Sequence, residues 1–394
     1  MEETEDLDDL DALVIGAGFG GVRMMLRLQM LGLKVKIFEQ NETLGGLWYW
    51  HLYPGHPGVR PNKDFRNADS MCDEDMWKDW TWTQKFPGRG DICHRQYFGS
   101  VDRLRELSKD VYFNSKVINA DWDDKAKKWV VKTENGVTAR AQYLMACNGL
   151  FNKRYIPSIK GIDKFSGPCY HTAAWPREGV DLKGKRVAVI GTGASGLKCI
   201  EDIHRSVRQL TVYHGMPSLC LPTSLPTQQT ERSLGKQPEK KEGQKRLDKS
   251  KLETFAGFSC SYVQRAAFSG DASMRLTFFE GLWRMGGFYF WLANYIDLLF
   301  DRQPNDPLYK FWCEKSREHM KDPALAKKPA PFDVPHTWET KRPSPVSTLP
   351  EVFKRKNVVD LIDVSENPVI EVTPNGIETR DTFTEFDVVV LATG

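Results

Sequence analysis

Apolar residues in this chain come in short unbroken runs separated by turns and by polar stretches. Ala12-Leu-Val-Ile15 and Val187-Ala-Val-Ile190 have the length of buried strands, and each opens directly into glycine-rich sequence and then a helical pattern. Lys34-Val-Lys-Ile-Phe38 reads as a second strand after the first of these units. Trp129–Thr133 and Thr138–Met145 read as strands on either side of the turn Glu134-Asn-Gly136. A second alternating unit runs from Gly184 to His214, followed by the polar stretch Gln228–Lys251, an exposed loop and helix. Helical, aromatic-rich sequence continues to about Lys328 and is broken by Pro329, Pro331 and Pro335. Strand patterns return at Val358–Ile362 and Val369–Val372, and the sequence closes on Phe386–Gly394.

Between the strand runs, the two glycine segments are Gly16-Ala-Gly-Phe-Gly-Gly21 and Gly191-Thr-Gly-Ala-Ser-Gly196. Their spacing predicts two dinucleotide sites, since each glycine has its own task. Gly16 and Gly191 make the tight turn after the strand. Gly18 and Gly193 let the backbone approach a pyrophosphate, and Gly21 and Gly196 let the helix pack on the strand. The phosphates would then meet the unpaired N–H groups of a helix N-terminus. Glu39 stands at the end of the second strand, 18 residues after Gly21. A carboxylate there bonds ribose hydroxyls and repels a 2′-phosphate, which suits the ADP-ribose of FAD. Two such sites in one chain suit two redox cofactors, a flavin and a nicotinamide, with electron transfer between them.

The expected fold class is therefore α/β, with two dinucleotide-binding, Rossmann-like domains and a helical insertion. The expected divisions are a first dinucleotide-binding domain, suited to FAD, over residues 1–153 and a second, for the nicotinamide cofactor, over 154–222 and 334–386. Residues 223–333 form the helical insertion, and residues 387–394 begin a return to the first domain.

Composition narrows the function classes. The sequence has 394 residues, long enough for two or three domains, with 40% apolar and 27% charged residues, as in soluble globular proteins. A formal net charge of +3 gives no argument for nucleic-acid or membrane binding. The acidic start, Glu2–Asp11, reads as a solvated tail, and no signal peptide is expected behind it. The most apolar window, Gly281–Phe300, holds Arg284 and Asp297 and reads as a core helix rather than a membrane span. Eight cysteines form no CxxC pair and no metal-like cluster, so reduced thiols in a cytoplasmic protein are expected, with no metal site. No CxxxxC follows the first glycine motif, which argues against a disulfide reductase.

Phe165-Ser-Gly-Pro-Cys-Tyr-His-Thr-Ala-Ala-Trp-Pro176 resembles the FxGxxxHTxxWP fingerprint of Baeyer–Villiger monooxygenases and stands between the two glycine motifs, as in that family. Gly45-Gly-Leu-Trp-Tyr-Trp-His-Leu-Tyr-Pro-Gly55 resembles the family's flavin-flanking segment. Pro335-His-Thr-Trp-Glu-Thr-Lys-Arg-Pro343 resembles its catalytic Lys-Arg segment, and Phe386–Gly394 its second Ala-Thr-Gly hinge. The style is that of fungal members acting in secondary metabolism. The resemblance implies FAD and NADPH as cofactors, and insertion of one oxygen atom from O2 beside a ketone carbonyl to give an ester or lactone. It makes Arg342 the catalytic arginine over the flavin and sets Lys341 beside the NADP 2′-phosphate. It gives His171 a conformational role in turnover, and Trp175 either that kind of role or packing. Gly46, Trp48 and Tyr53 fall in the flavin-flanking segment, where Trp48 and Tyr53 either line the flavin or fill core.

Several family positions differ here. Val59 stands where the family has an aspartate that orients the arginine, and Asp64 is a candidate substitute. Gly215 and Met216 replace an Arg-Thr pair for the 2′-phosphate, so a forked guanidinium is missing. The first hinge reads Cys147-Asn-Gly149 in place of Ala-Thr-Gly. Family members continue beyond the second hinge, whereas this sequence stops at Gly394, so the resemblance implies a C-terminally truncated member. Two other functions stay open at this stage. One is a degenerate relative without turnover; the other is a flavoenzyme oxidising sulfur or nitrogen, against which Trp175-Pro176 argues.

Overall fold

The computed structural model describes residues 6–55, 97–221, 260–286, 288–318, 326–334, 336–338, 341, 343–345, 352 and 359–394. The chain divides into two compact units, Met1–His51 with Asp69–Lys153 and Leu52–Ala68 with Arg154–Gly394.

In the first unit, strand β1 (Asp6–Ile15) leads through the glycine turn into helix α1 (Phe19–Met30) and strand β2 (Val35–Phe38). A helical turn α2 (Leu47–Trp50) and helix α3 (Tyr97–Arg105) precede strands β3 (Val111–Tyr112), β4 (Val117–Asp123), β5 (Lys128–Thr133) and β6 (Thr138–Ala146). They form one sheet in the order β3-β2-β1-β6-β5-β4. Strands β3, β2, β1 and β6 run parallel, while β4, β5 and β6 form an antiparallel meander. The unbroken apolar run of β1 is explained by burial on both faces. Ala12 and Val14 pack toward Val22 and Met25 of α1, whereas Leu13 packs with Phe38, Val131 and Ala139.

The acidic segment predicted as a tail is part of β1 from Asp6 onward. It pairs with β6, with Asp6 opposite Thr138 and Leu10 opposite Ala141. The carboxylates of Asp6, Asp8 and Asp9 stay in solvent, and Asp9 pairs with Lys34 Nζ at 3.7 Å. Asp8 pairs with Arg140, and half-buried Asp11 accepts the backbone N–H of Lys34 on Oδ2 at 2.7 Å.

The second unit contains β7 (Cys169–His171), β8 (Arg186–Ile190), α4 (Ala194–Ile203), β9 (Gln209–His214) and the short β10 (Cys220–Leu221). Helices α5 (Ala272–Met285), α6 (Tyr289–Leu292) and α7 (Asn305–Glu318) follow, then β11 (Ser344–Pro345) beside β10. The last strands are β12 (Val359–Asp363), β13 (Val369–Thr373), β14 (Gly376–Thr379), β15 (Phe383–Glu385) and β16 (Val388–Leu391). A parallel five-stranded sheet has the order β12-β9-β8-β16-β7. One face, with Val187, Val189 and Val212, packs on Leu197 and Ile200 of α4. The other, with Ala188, Tyr213 and Val389, packs with Val372 and Ile377 of the antiparallel β13-β14-β15 sheet.

Three expectations change here. The window Gly281–Phe300 is not one helix: α5 stops at Met285 because Gly286 takes φ +64, a conformation that costs glycine little. Fully buried Asn294 then fixes the next turn, donating from Nδ2 to Phe290 O at 3.0 Å and accepting the Tyr295 N–H at 2.9 Å. Leu52–Gly55 belongs to the second unit, since Tyr53 lies in the core beside Leu197 and Cys199, and a Cβ on Gly55 would lie 2.1 Å from Lys198 O. The segment over 387–394 stays in the second unit as well, because β16 fills the place between β8 and β7. The polar stretch Gln228–Lys251 lies outside the described residues.

Candidate functional site

The first glycine turn is held by three backbone contacts. Gly16 donates its N–H to Phe38 O at 2.8 Å and takes φ +97. A Cβ there would meet Cys147 O at 2.7 Å, and a Cβ on Gly21 would come within 1.8 Å of Gly16 O. Gly18 is different: a Cβ on it would meet nothing nearer than Gly46 Cα at 3.5 Å, an ordinary contact. The fold therefore demands Gly16 and Gly21 but not Gly18. Gly18 is the N-cap residue of α1, and no side chain caps the helix there, so its first N–H groups are open to an anion. Gly46, at φ +52, faces the same turn, and a Cβ on it would lie 2.9 Å from Gly18 Cα. Trp48 is half-buried against the core of this unit.

Glu39 is buried at the tip of β2. Its Oε2 accepts the Ala17 N–H at 2.6 Å, and Oε1 accepts Asn41 N and Nδ2 at 2.9 and 2.6 Å. Burial pushes its pKa up, and the N–H groups donated to it pull the other way. The carboxylate thus holds the glycine turn against β2, a task beyond the ribose contact expected of it. The backbone N–H groups of Ala17, Gln40 and Asn41 and the Asn41 side chain all converge on this carboxylate.

The second unit repeats this construction. Gly191 donates to Tyr213 O at 2.9 Å at φ +106, and a Cβ on it would lie 2.4 Å from Ala392 O. A Cβ on Gly196 would lie 2.1 Å from Gly191 O, whereas one on Gly193 would meet nothing within 4 Å. The N-terminus of α4 again has no side-chain cap. The two hinge segments share a place: Cys147 covers Gly16 as Ala392 covers Gly191.

His171 closes β7 and is buried. Its Nδ1 accepts the Ala173 N–H at 3.0 Å, so its proton sits on Nε2, which lies 3.1 Å from Tyr155 O and donates to it. Thr393 Oγ1 donates to the same carbonyl at 2.6 Å, and the Tyr155 N–H donates to Gly394 O at 2.7 Å. One histidine therefore ties the segment entering the second unit to the second hinge. Burial lowers its pKa and keeps the ring neutral. Trp175 is buried in the core of this unit, its ring 5.3 Å from that of Tyr170.

Comparison with known proteins agrees with this geometry. The profile of the pyridine nucleotide-disulphide oxidoreductase family matches residues 10–237. Cyclopentanone 1,2-monooxygenase of Comamonas is 37% identical over 98% of this chain and 68% of its own length. The FAD-binding monooxygenase acrE of Aspergillus aculeatus is 37% identical over 99% of this chain and 64% of its own length. A crystal structure of OTEMO in complex with FAD and NADP superposes with a TM-score of 0.86 at 32% identity, covering 98% of this chain and 72% of that one. The chain belongs to the Baeyer–Villiger monooxygenase family. It spans about two thirds of the length of these relatives.

Within this Baeyer–Villiger monooxygenase scaffold, the structure brings Gly16, Gly18, Gly21, Glu39 and Gly46 together at one turn and Gly191, Gly193 and Gly196 at the other. Lys341 is exposed. Arg342, Val59 and Asp64 lie outside the described residues. Sequence reasoning missed Tyr155 and Thr393, which act through a backbone carbonyl and a hydroxyl with no motif of their own. Among the described residues, no helix is long and apolar enough to cross a membrane.

Proposed function

We propose that this chain is an FAD- and NADPH-dependent monooxygenase. It would insert one oxygen atom from O2 next to the carbonyl of a small-molecule ketone to give an ester or lactone. The observation that carries this reading is the pair of matching glycine turns, each with a middle glycine that the fold itself does not require. Such a turn fits a pyrophosphate against the helix N-terminus. Named relatives support the ketone and the setting: cyclopentanone 1,2-monooxygenase by its substrate, and acrE as a fungal FAD-binding monooxygenase. We place the reaction in secondary-metabolite biosynthesis, in a cytoplasm whose reducing conditions suit the six free cysteines among the described residues.

FAD, when bound, supplies the redox chemistry with O2. Gly18 admits its pyrophosphate, and Glu39 accepts from its ribose. Gly193 admits the nicotinamide cofactor's pyrophosphate, and Lys341 pairs with its 2′-phosphate. Arg342 stabilises negative charge that develops on the ketone oxygen, an effect worth about 3 kcal/mol when the charge is preorganised. His171 acts without touching substrate, by holding Tyr155 and the second hinge in register. The test is the spectrum of the purified protein: bound-flavin absorbance that NADPH bleaches without air, and ester formation from a cyclic ketone when air is admitted. Protein that binds no flavin contradicts the proposal.

A further inference from the structure

Strand register places His214 where the first unit has Glu39. In the first unit Ile15 pairs with Phe38, Gly16 donates to Phe38 O at 2.8 Å, and Glu39 follows. In the second, Ile190 pairs with Tyr213, Gly191 donates to Tyr213 O at 2.9 Å, and His214 follows. His214 also continues the face of Leu210 and Val212, which pack with Leu197 and Ile200 of α4. An acid in this place bonds ribose hydroxyls and excludes a 2′-phosphate. His214 instead offers a ring that carries either no charge or a positive one. It is 2% exposed, and its Nε2 has no hydrogen-bond partner among the described residues. Gly215 and Met216 beside it supply no charge.

We propose that His214 reads the 2′ position of the nicotinamide cofactor's adenosine ribose, as a cation toward a 2′-phosphate and as a neutral partner toward a 2′-hydroxyl. This rests on the dinucleotide reading of the second glycine turn. The surrounding charges make the histidine titratable in place. Burial disfavours its cation, Asp363 opposite it in β12 and Glu366 favour it, and Lys328 opposes it. Burial prevails in the free protein, so its pKa lies below the usual histidine range. A bound 2′-phosphate adds negative charge and draws a proton from solution onto the ring. The preference for NADP over NAD is then a function of pH, greater in acid and smaller in alkali.

The test is calorimetric binding of NADP+ and NAD+ at about pH 6 and about pH 8, in two buffers of different protonation enthalpy. In the unaltered protein, the NADP+ to NAD+ affinity ratio should fall about tenfold or more across this range, the order for losing one hydrogen bond between charged groups. NADP+ binding should take up protons where NAD+ binding does not. His214→Gln should lower the ratio at the acid end, flatten its pH dependence and reduce the proton uptake. The phosphate's own titration is common to both proteins and cancels in the comparison. His214→Glu, which copies Glu39, should favour NAD+, and if it fails to fold the Gln variant decides alone. A His214→Gln protein with the original pH-dependent ratio and proton uptake overturns the assignment. Absence of binding by both dinucleotides overturns the dinucleotide reading, and this inference with it.

Discussion

His171 donates from Nε2 to the carbonyl oxygen of Tyr155 across 3.1 Å, and that carbonyl also receives the Thr393 hydroxyl. Three distant parts of the sequence thus meet on one oxygen. His171→Ala removes one of its donors and leaves the Ala173 N–H without its acceptor. The expected loss of stability is about 1–2 kcal/mol, measured by denaturant unfolding. The proposed role as a clamp predicts that flavin content is retained while steady-state turnover falls more than the rate of flavin reduction. Equal falls in both would assign the residue to hydride transfer.

The same clamp depends on pH. Burial holds the His171 pKa below its ordinary value of 6.5. A folded-state value below the unfolded one means that the stabilisation is complete above the ordinary histidine range and is lost as pH falls through the folded-state value. Protonation of Nδ1 would also remove the acceptor for Ala173 N–H. The stability difference between the unaltered protein and His171→Ala should therefore narrow between about pH 7 and about pH 5. A difference that stays constant over that range contradicts the assigned neutral tautomer.

The glycines of the first turn should separate under mutation. Gly21→Ala places a Cβ 1.8 Å from Gly16 O and forces the backbone apart. The expected cost is about 2–4 kcal/mol, read as a lowered unfolding midpoint. Gly18→Ala meets only Gly46 Cα at 3.5 Å, so its unfolding midpoint without cofactor should stay near that of the unaltered protein. Gly18→Val should fold as well but crowd the pyrophosphate and purify without flavin. A yellow Gly18→Val protein would remove FAD from this turn.

These glycines were legible from sequence because each answers to a local rule of turn, approach or packing. Other features were not, for physical reasons that local patterns omit. Asp6–Asp11 looked like solvent-exposed tail, and Asp6, Asp8 and Asp9 are exposed, but Leu10 enters the core and the backbone pairs with β6, far along the sequence. Tyr53 sits close in sequence to Gly46, yet its ring packs in the other unit against α4. The aromatic run over Gly281–Phe300 has the hydrophobicity of a core helix, and one glycine at φ +64 ends it. The place of His214 is fixed by the matching registers of β1–β2 and β8–β9, in which each pair of strands is joined through a helix.

Arg186 and Asp387 join the starts of β8 and β16. Asp387 Oδ2 accepts the Arg186 N–H at 2.8 Å, and Oδ1 accepts Nη2 at 2.8 Å. The guanidinium holds the Asp387 pKa below its ordinary 3.8. Its stabilisation is present above that value and is lost as pH falls through the folded-state value. Asp387→Asn should lower the melting temperature at neutral pH, with the difference shrinking in acid below the ordinary aspartate range. A difference independent of pH would mean that shape, not charge, joins the strands.

Arg342→Ala should retain FAD and largely retain flavin reduction by NADPH, but lose ester formation by about a hundredfold or more. Reducing equivalents would then leave as hydrogen peroxide. Val59 stands where the resemblance implies an orienting aspartate, so the unaltered protein should already release some peroxide, and Val59→Asp should improve coupling. Product analysis against NADPH consumed checks both. An Arg342→Ala protein that oxygenates ketones like the unaltered one contradicts the role given to this arginine.

The most direct test of the central claim is the fate of the oxygen atom. The purified protein, with its flavin content established, is supplied with NADPH, a cyclic ketone and heavy-isotope O2, and the product is weighed by mass spectrometry. The account predicts a lactone that carries one heavy oxygen atom and forms only when NADPH is present. Flavin that is bound and reduced by NADPH, yet yields no labelled lactone from any of a panel of small ketones, would contradict it.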